Sequence, residues 1–218
     1  MLQAAVQSGS ISLVHMLIER GCSVFSKGAF GYSALHQVAY TPFSSLCDFL
    51  LKNGGNLDSL SRNGSTPLLI ASREGHADVV ESMLRYGADP NDGGDKGLTP
   101  LLLAAAEGHV EVVRLLLSFK GDANQAPFEG RSPLHEAVEA GHSEVCRDLI
   151  RYGKASIHAK DVEGTSPLMI AQGNEKPDLV DILTSTNYEG IEYRVPDEVC
   201  KIADRQHLRL PPEMAFSN

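Results

Sequence analysis

Residues 97–124 read GLTPLLLAAAEGHVEVVRLLLSFKGDAN, and this stretch contains the signals for two short helices joined by a turn. Thr99 can cap the first helix, because its hydroxyl accepts a hydrogen bond from an unpaired backbone N–H. Pro100 suits the first helical position, since it has no N–H to leave unpaired. Gly108 suits the left-handed conformation that ends a helix. Apolar residues within 110–117 then follow helical spacing, which predicts a second helix before a polar loop.

The same pattern recurs along the chain. The segments that align with GLTPLLLAA are GYSALHQVA from Gly31, GSTPLLIAS from Gly64, GRSPLHEAV from Gly130 and GTSPLMIAQ from Gly164. With Gly97 included, the first glycines of successive segments are 33, 33, 33 and 34 residues apart. A unit of two short helices cannot bury its apolar faces alone, so stacked copies must share one core. The chain is therefore predicted to be a repeat array.

The 33-residue period and the pattern TPLxxA, GHxEVVxLLL and GADPN resemble the ankyrin-repeat family over about residues 2–185. The resemblance implies an all-α solenoid of stacked helix-turn-helix units with β-hairpin-like fingers. It also implies a concave face, formed by the fingers and the first helices. The predicted domains are an ankyrin-repeat domain over 1–185, with a partial repeat over 1–27 and repeats beginning near residues 28, 61, 94, 127 and 161, and a C-terminal cap or tail over 186–218.

Several departures from the pattern are expected to alter the structure locally. The first repeat has no TPLH segment, and Ala34 stands in the second where the others have proline. Residues 40–43, YTPF, replace the usual turn of that repeat. One extra residue near Lys154 should bulge its loop. In the last repeat EKP at 175–177 replaces the Gly-His turn, and its proline suits the start of a helix.

The composition carries no nucleic-acid or membrane signature. The 218 residues include 19 Lys and Arg against 28 Asp and Glu, a net charge of −9 with His neutral, whereas nucleic-acid binding would need a basic face. The longest apolar run, 101–106, is far shorter than the roughly 18 residues of a membrane helix. The four cysteines form no CxxC pair and no signal peptide is recognisable. We therefore expect a cytoplasmic or nuclear protein with reduced thiols, monomeric on its own.

No group of residues has the spacing of a catalytic or metal site. His36 and His135 share one repeated position, and three further histidines follow glycine at another, which favours a packing role. Cys47 and Cys146 align with apolar core positions, which favours inert thiols. The chain contains neither a phosphate-binding glycine loop nor a G-x-S-x-G motif. The sequence therefore predicts no catalytic residue, no cofactor and no metal.

Residues that vary between equivalent positions of the repeats are free to recognise a partner. In the family these positions lie at the fingertips and at the end of each first helix. The predicted binding residues are Phe30, Tyr32, Tyr40, Arg62, Arg73, Glu74, Lys96, Leu98, Glu107, Phe128, Arg131 and Glu139.

The early repeats concentrate aromatic residues in this set. Phe30, Tyr32 and Tyr40 lie close together in sequence, and aromatic residues are typical interface anchors. The alternative is that they cover the incomplete first repeat. As a binding site, they favour a partner protein or peptide with an apolar anchor.

The helix ends of the set carry carboxylates. The three glutamates Glu74, Glu107 and Glu139 are called the acidic row, and Arg73 stands among them. If the acidic row binds a partner, it favours basic residues along that partner. The alternative is that the row is a charged face in contact with solvent only.

Residues 116–124 read L-x5-D-A-N, which resembles the asparaginyl hydroxylation sequence of many ankyrin domains. The resemblance makes Asn124 a candidate for hydroxylation. The alternative is a turn asparagine, since Asn91 occupies the equivalent place without the upstream leucine.

The main functional hypothesis is a non-enzymatic protein-protein interaction module that binds a partner through the concave face and fingertips. Two alternatives stay open. In the first, the protein is an adaptor whose C-terminal tail recruits a second protein, such as a ubiquitin-ligase component. In the second, it is the targeting domain of a larger enzyme.

Overall fold

A computed structural model describes residues 2–127 and 129–185. These residues form twelve α-helices in six consecutive pairs, and each pair with the loop before it is one unit, numbered one to six along the chain. The helices are α1 (Leu2–Gln7), α2 (Ile11–Glu19), α3 (Ala34–Ala39), α4 (Ser44–Lys52), α5 (Pro67–Glu74), α6 (Ala77–Arg85), α7 (Pro100–Glu107), α8 (Val110–Ser118), α9 (Pro133–Ala140), α10 (Ser143–Arg151), α11 (Pro167–Gly173) and α12 (Pro177–Thr184). Two 3₁₀ turns, Ala29–Gly31 and Gly94–Lys96, precede α3 and α7. None of the helices in the described ranges is long and apolar enough to cross a membrane.

The first helices of units three to six begin at proline behind a hydroxyl residue. The hydroxyls of Thr66, Thr99 and Ser166 accept hydrogen bonds from the N–H three residues ahead, at 3.3, 3.2 and 3.4 Å. Ser132 and His135 instead cap each other's backbone N–H groups. The start sites predicted from the Thr-Pro and Ser-Pro pairs are therefore confirmed.

Glycine ends the first helices of units three, four and five. Gly75, Gly108 and Gly141 have φ values of 77°, 80° and 90°, in the left-handed region. A Cβ on Gly75 would lie 2.5 Å from the ring of His109, and one on Gly108 would lie 2.6 Å from the ring of His142. The glycine is thus required both by the backbone and by the close approach of the next unit.

The extra residue of unit five is absorbed in the turn after α10. The Ala155 N–H donates to the Leu149 carbonyl at 3.0 Å, whereas the equivalent bond in unit four, from Gly121 to Leu116, closes a turn one residue shorter. Lys154 lies within this longer turn and has a left-handed φ of 51°. The predicted bulge near Lys154 is confirmed.

The turn of the last unit is built without its usual glycine and histidine. Glu175 adopts the left-handed conformation, with a φ of 52°. The Lys176 ammonium donates to the Glu139 carbonyl at 2.7 Å, and Pro177 begins α12 as predicted. A lysine therefore contacts the preceding unit where units four and five use a histidine ring.

The units stack through two rows of helices. Each first helix packs against the next first helix, and from α4 onward each second helix packs against the next second helix. From unit three onward the first helices pack against one another more extensively than the second helices do. One continuous apolar core runs from Leu2 to Leu183. The all-α solenoid predicted from the repeat period is confirmed.

The core includes two cysteines. Cys47 and Cys146 are fully buried, and burial raises the pKa of each thiol to about 12. Because the thiolate is the reactive form, both are inert at neutral pH.

The fingers are loops, and the described residues contain no β-strand. Each is closed by turn hydrogen bonds, such as the one from the Ser61 N–H to the Ser65 carbonyl at 3.0 Å. Asp161 and Thr165 form the same bond in unit six, also at 3.0 Å. The expected β-hairpin-like fingers are corrected accordingly, because these loops are too short to form the paired backbone bonds of a strand ladder.

Candidate protein-binding face

The predicted binding residues that the structure describes fall in the fingers and at the ends of the first helices. Phe30, Tyr32, Arg62, Lys96, Leu98 and Arg131 lie in the fingers that precede α3, α5, α7 and α9. Tyr40, Arg73, Glu74, Glu107 and Glu139 lie at the C-terminal ends of the same four helices. Phe128 lies outside the described residues. The structure therefore arranges the described members as two rows along one face, a fingertip row and a helix-end row.

The aromatic members come together in one groove. The groove has a volume of about 590 Å³ and is called the aromatic groove. Its lining residues are Gln3, Gln7, Phe30, Tyr32, Gln37, Tyr40 and Thr41. It spans the junction of units one and two, since the first two glutamines belong to α1.

The aromatic rings contact one another and stay accessible. The ring centroids of Tyr32 lie 6.4 Å from Phe30 and 5.9 Å from Tyr40, and the two tyrosine hydroxyls are 3.0 Å apart. Tyr32 also stacks on His36 at 5.6 Å. Phe30 is 65% exposed and Tyr40 is 37% exposed. Phe30 and Tyr40 therefore leave part of their rings open to solvent while the cluster lies against Gln3 and Gln7 of unit one.

The residues that line the groove are uncharged and polar-aromatic, and the Arg73 guanidinium adjoins the Tyr40 hydroxyl. Burial, followed by the hydrogen bond with Tyr32, raises the pKa of the Tyr40 hydroxyl, so the phenol stays uncharged at neutral pH. The Gln7 amide donates to the Gln37 side-chain oxygen at 2.9 Å. Phe30 has a φ of 60°, an uncommon conformation for a bulky residue that holds its ring at the fingertip.

The acidic row is largely neutralised. Arg73 pairs with Glu74 at 3.2 Å. Arg131 pairs with Glu136 at 2.6 Å and also with Glu139. Only Glu107 of the row has no ion pair with a residue that the structure describes. Sequence reasoning missed the fingertip-to-helix pairing of Arg131, because residues of a loop and of the following helix meet only once the unit has folded.

A second groove lies between the fingers of units four and five. It has a volume of about 340 Å³ and is called the finger groove. Its lining residues are Lys96, Leu98, Leu102, Pro127, Glu129, Arg131 and Glu136. Three of these were predicted, whereas Leu102 and Pro127 were missed as apolar lining. The available signal was Leu102 itself, since it stands where units two and five have histidine.

Buried histidines form hydrogen bonds that link the fingers of units three and six to the units before them. Nε2 of His36 lies 2.9 Å from the Ser65 carbonyl, and Nε2 of His135 lies 3.2 Å from the Thr165 carbonyl. Nδ1 of His36 accepts from the Ser33 N–H at 3.1 Å, so Nε2 carries the proton and donates. Burial lowers the pKa of both imidazoles, which keeps them neutral.

The histidines that follow glycine make a different tie, at the helix-end side of the junctions. Nε2 of His109 lies 2.8 Å from the Arg73 carbonyl, and Nε2 of His142 lies 3.1 Å from the Ala106 carbonyl. The predicted packing role is thus observed for His36, His135 and these two. Among the described residues, no group of three or more His, Cys, Asp or Glu could hold a metal ion.

The side chain of Asn124 makes two hydrogen bonds to the loop that follows α10. Its Nδ2 donates to the Lys154 carbonyl at 3.3 Å, and its Oδ1 accepts from the Ser156 N–H at 2.8 Å. Asn91 makes the equivalent pair of bonds one unit earlier. Both asparagines therefore fasten one loop to the next, and hydroxylation of Asn124 stays a prediction.

Comparison with known proteins agrees with the fold. A family model for ankyrin repeats matches residues 2–94, 89–161 and 129–197. A comparison with curated protein sequences finds no match. Ankyrin repeats are generally protein-protein interaction modules and are typically non-enzymatic. Because the matches together cover most of the chain, this protein belongs to the ankyrin-repeat family.

Proposed function

We propose that this protein is a non-enzymatic binding module that holds an apolar side chain of a partner protein in the aromatic groove. The observation that carries the proposal is the exposure of Phe30 and Tyr40 around a groove with no charged lining residue. An uncharged side chain can enter such a groove without stripping water from a charge. Aromatic residues in a pocket are the usual energetic centre of an interface.

The groove is pre-organised for binding. Tyr32 is held by its stack on His36 and by the hydroxyl contact with Tyr40. A surface that is already ordered loses little conformational entropy when a partner binds. The tyrosine hydroxyls and the glutamine amides of the groove offer donors and acceptors to the partner backbone.

Glu107 is proposed as the contact for a basic residue of the partner. Glu74 and Glu139 already pair with Arg73 and Arg131, so their charges are compensated within the protein. Glu107 is exposed at the end of α7 and has no such pair among the described residues. A lysine or arginine of the partner would complete the pairing that its neighbours already have.

The adaptor alternative concerns residues 186–218, which lie outside the described residues. The targeting alternative concerns chain beyond the present sequence. Both stay predictions, and deleting 187–218 separates the adaptor from the main proposal. Loss of one co-purified partner with an intact unfolding transition supports the adaptor, whereas loss of cooperative unfolding supports a cap.

Site-specific cross-linking in cells tests the proposed function. A photo-reactive phenylalanine analogue is placed at Phe30, and the matched control places it at Tyr86 on the second-helix side, which is 42% exposed. The tyrosines at the C-caps of α3 and α6 provide matched variants, Tyr40→Ala and Tyr86→Ala. We expect a protein adduct at position 30 that Tyr40→Ala removes and Tyr86→Ala preserves. Equal adducts at positions 30 and 86 would contradict the proposal.

A further inference from the structure

The finger groove offers a second apolar contact on the same face as the aromatic groove. Leu98, Leu102 and Pro127 supply its apolar lining. Leu98 is half-buried, so part of its side chain is available to a ligand. The equivalent positions of units three and five carry Ser65 and Arg131, which makes this apolar lining particular to the junction of units four and five.

The rim of the finger groove is held in place by ion pairs. Nε of Arg131 bonds to Glu136 at 2.6 Å, and its other nitrogens approach Glu139 and Asp161, the latter at 4.0 Å. The charge of the guanidinium is therefore compensated within the protein. Lys96 and Glu129 also line the groove and are exposed, so their charges stay in water while Leu98, Leu102 and Pro127 offer contacts to an uncharged side chain.

The separation of the two grooves sets a spacing for a ligand that fills both. The aromatic groove lies at the junction of units one and two, and the finger groove at the junction of units four and five. Packed helices lie about 10 Å apart, so three repeats correspond to roughly 30 Å. An extended chain covers this in about nine residues at about 3.3 Å each.

The lining of the aromatic groove favours an extended ligand over a helical one. Gln7, Gln37 and the tyrosine hydroxyls can bond to backbone N–H and C=O groups. An extended segment presents these groups unpaired, whereas a helix has already paired them internally.

We propose that the partner is an extended segment with two apolar anchors about nine residues apart, one in each groove, and a lysine or arginine close to the second anchor. The basic residue faces Glu107, which belongs to the same unit as Leu98 and Leu102. This inference rests on the proposed function and adds the chemistry of the ligand. Two linked anchors bind far more tightly than either alone, because the first raises the effective concentration of the second.

Selection from a displayed library of random peptides of about 16 residues, long enough to span both grooves, tests the proposal on the full chain. We expect enriched peptides to carry two apolar residues separated by about eight to ten positions, with a basic residue near one of them. A synthetic peptide from this set should lose about tenfold or more in affinity with Tyr40→Ala and again with Leu98→Ser. Serine is tolerated by the fold at that position, since Ser65 occupies it in unit three.

The control variant is Leu13→Ser on α2, a leucine 39% exposed outside both grooves, which should leave affinity unchanged. Peptides that respond to Tyr40→Ala but not to Leu98→Ser would overturn the two-anchor proposal and leave the proposed function standing. Anchors about 20 positions apart would indicate a helix at about 1.5 Å per residue and would overturn the extended geometry. A library that yields no peptide sensitive to either variant would overturn the proposed function as well.

Discussion

The two central junctions, between units three and four and between units four and five, lack the finger-end side-chain bond that the junctions flanking them have. In units two and five, His36 and His135 bond to the next finger. In unit one Gln3 does the same, with its amide 3.2 Å from the Tyr32 carbonyl. Units three and four carry Leu69 and Leu102 at this position, which cannot make the bond.

The central junctions are tied instead at their helix ends. There, the rings of His109 and His142 bond to the Arg73 and Ala106 carbonyls. The difference shows that one repeat pattern can fasten its units at either end of the first helix. Where the finger end carries leucine, apolar surface replaces a polar tie, and Leu102 contributes to the finger groove. Each of the following predictions tests one part of this comparison.

The largest effect is expected at the helix-end tie of a central junction. Gly108→Ala should destabilise the protein by about 3 kcal/mol, because alanine is strained at a φ of 80° and its Cβ would lie 2.6 Å from the His142 ring. Gly87→Ala is the control, since it has a φ of 96° with no atom within 4 Å of a Cβ. It should cost only about 1 kcal/mol. Urea unfolding measures both, and equal losses would show that the contact between units is unimportant.

The next effect concerns the finger-end tie of a flanking junction. His135→Leu should cost about 2 kcal/mol, because the Thr165 carbonyl and the Ser132 N–H lose their partner. The reciprocal change Leu102→His should stay within about 1 kcal/mol, since a lost apolar contact is offset by a new tie. Urea unfolding again provides the measurement. A larger loss of stability for Leu102→His than for His135→Leu would contradict the proposed difference between the central and flanking junctions.

A smaller effect is expected from pH. Burial is the main cause that lowers the pKa of His36 and His135, with Lys27 and Arg131 adding to it and the finger carbonyls opposing it. The unfolded state therefore binds more protons below about pH 6.5, and stability falls as the pH drops through that region. Each histidine contributes at most about 1.4 kcal/mol per pH unit. Unfolding at pH 7.5 and 5.5 should show a shallower dependence in the double variant His36→Leu/His135→Leu, and an unchanged slope would contradict the assignment.

The smallest effect sharpens the comparison at the last junction, where Lys176 replaces the helix-end histidine. Glu175→Gly should stabilise the protein by about 1 kcal/mol, because it relieves a left-handed φ of 52°. Gln172→Gly, at an exposed position of α11, is the control and should destabilise by roughly 0.5–1 kcal/mol. Thermal unfolding distinguishes the two, and a loss of stability with Glu175→Gly would mean that its side chain contributes more than its backbone costs.

Much of the fold was predictable from single residues. Thr99 with Pro100 marks a helix start, and Gly108 marks an end, because these signals act within one turn of chain. The aromatic cluster was predictable for a similar reason, since Phe30, Tyr32 and Tyr40 lie within one unit. The compensation of Glu139 by Arg131 was not predictable, because it depends on how a finger folds back onto its helix.

The sequence by itself determined the repeat period, the helix starts and ends, the buried apolar positions and the aromatic content of the second unit. These features depend on local propensities and on a 33-residue spacing that is visible in the sequence. Only the tertiary structure decided which carboxylates stay unpaired, that Gln3 replaces a histidine tie, and that Leu98, Leu102 and Pro127 line one groove. The physical reason is that the Gln3 bond and the groove join residues of neighbouring units, whereas the carboxylate pairing joins a finger to its own helix. In both cases the distances exist only after the chain has folded.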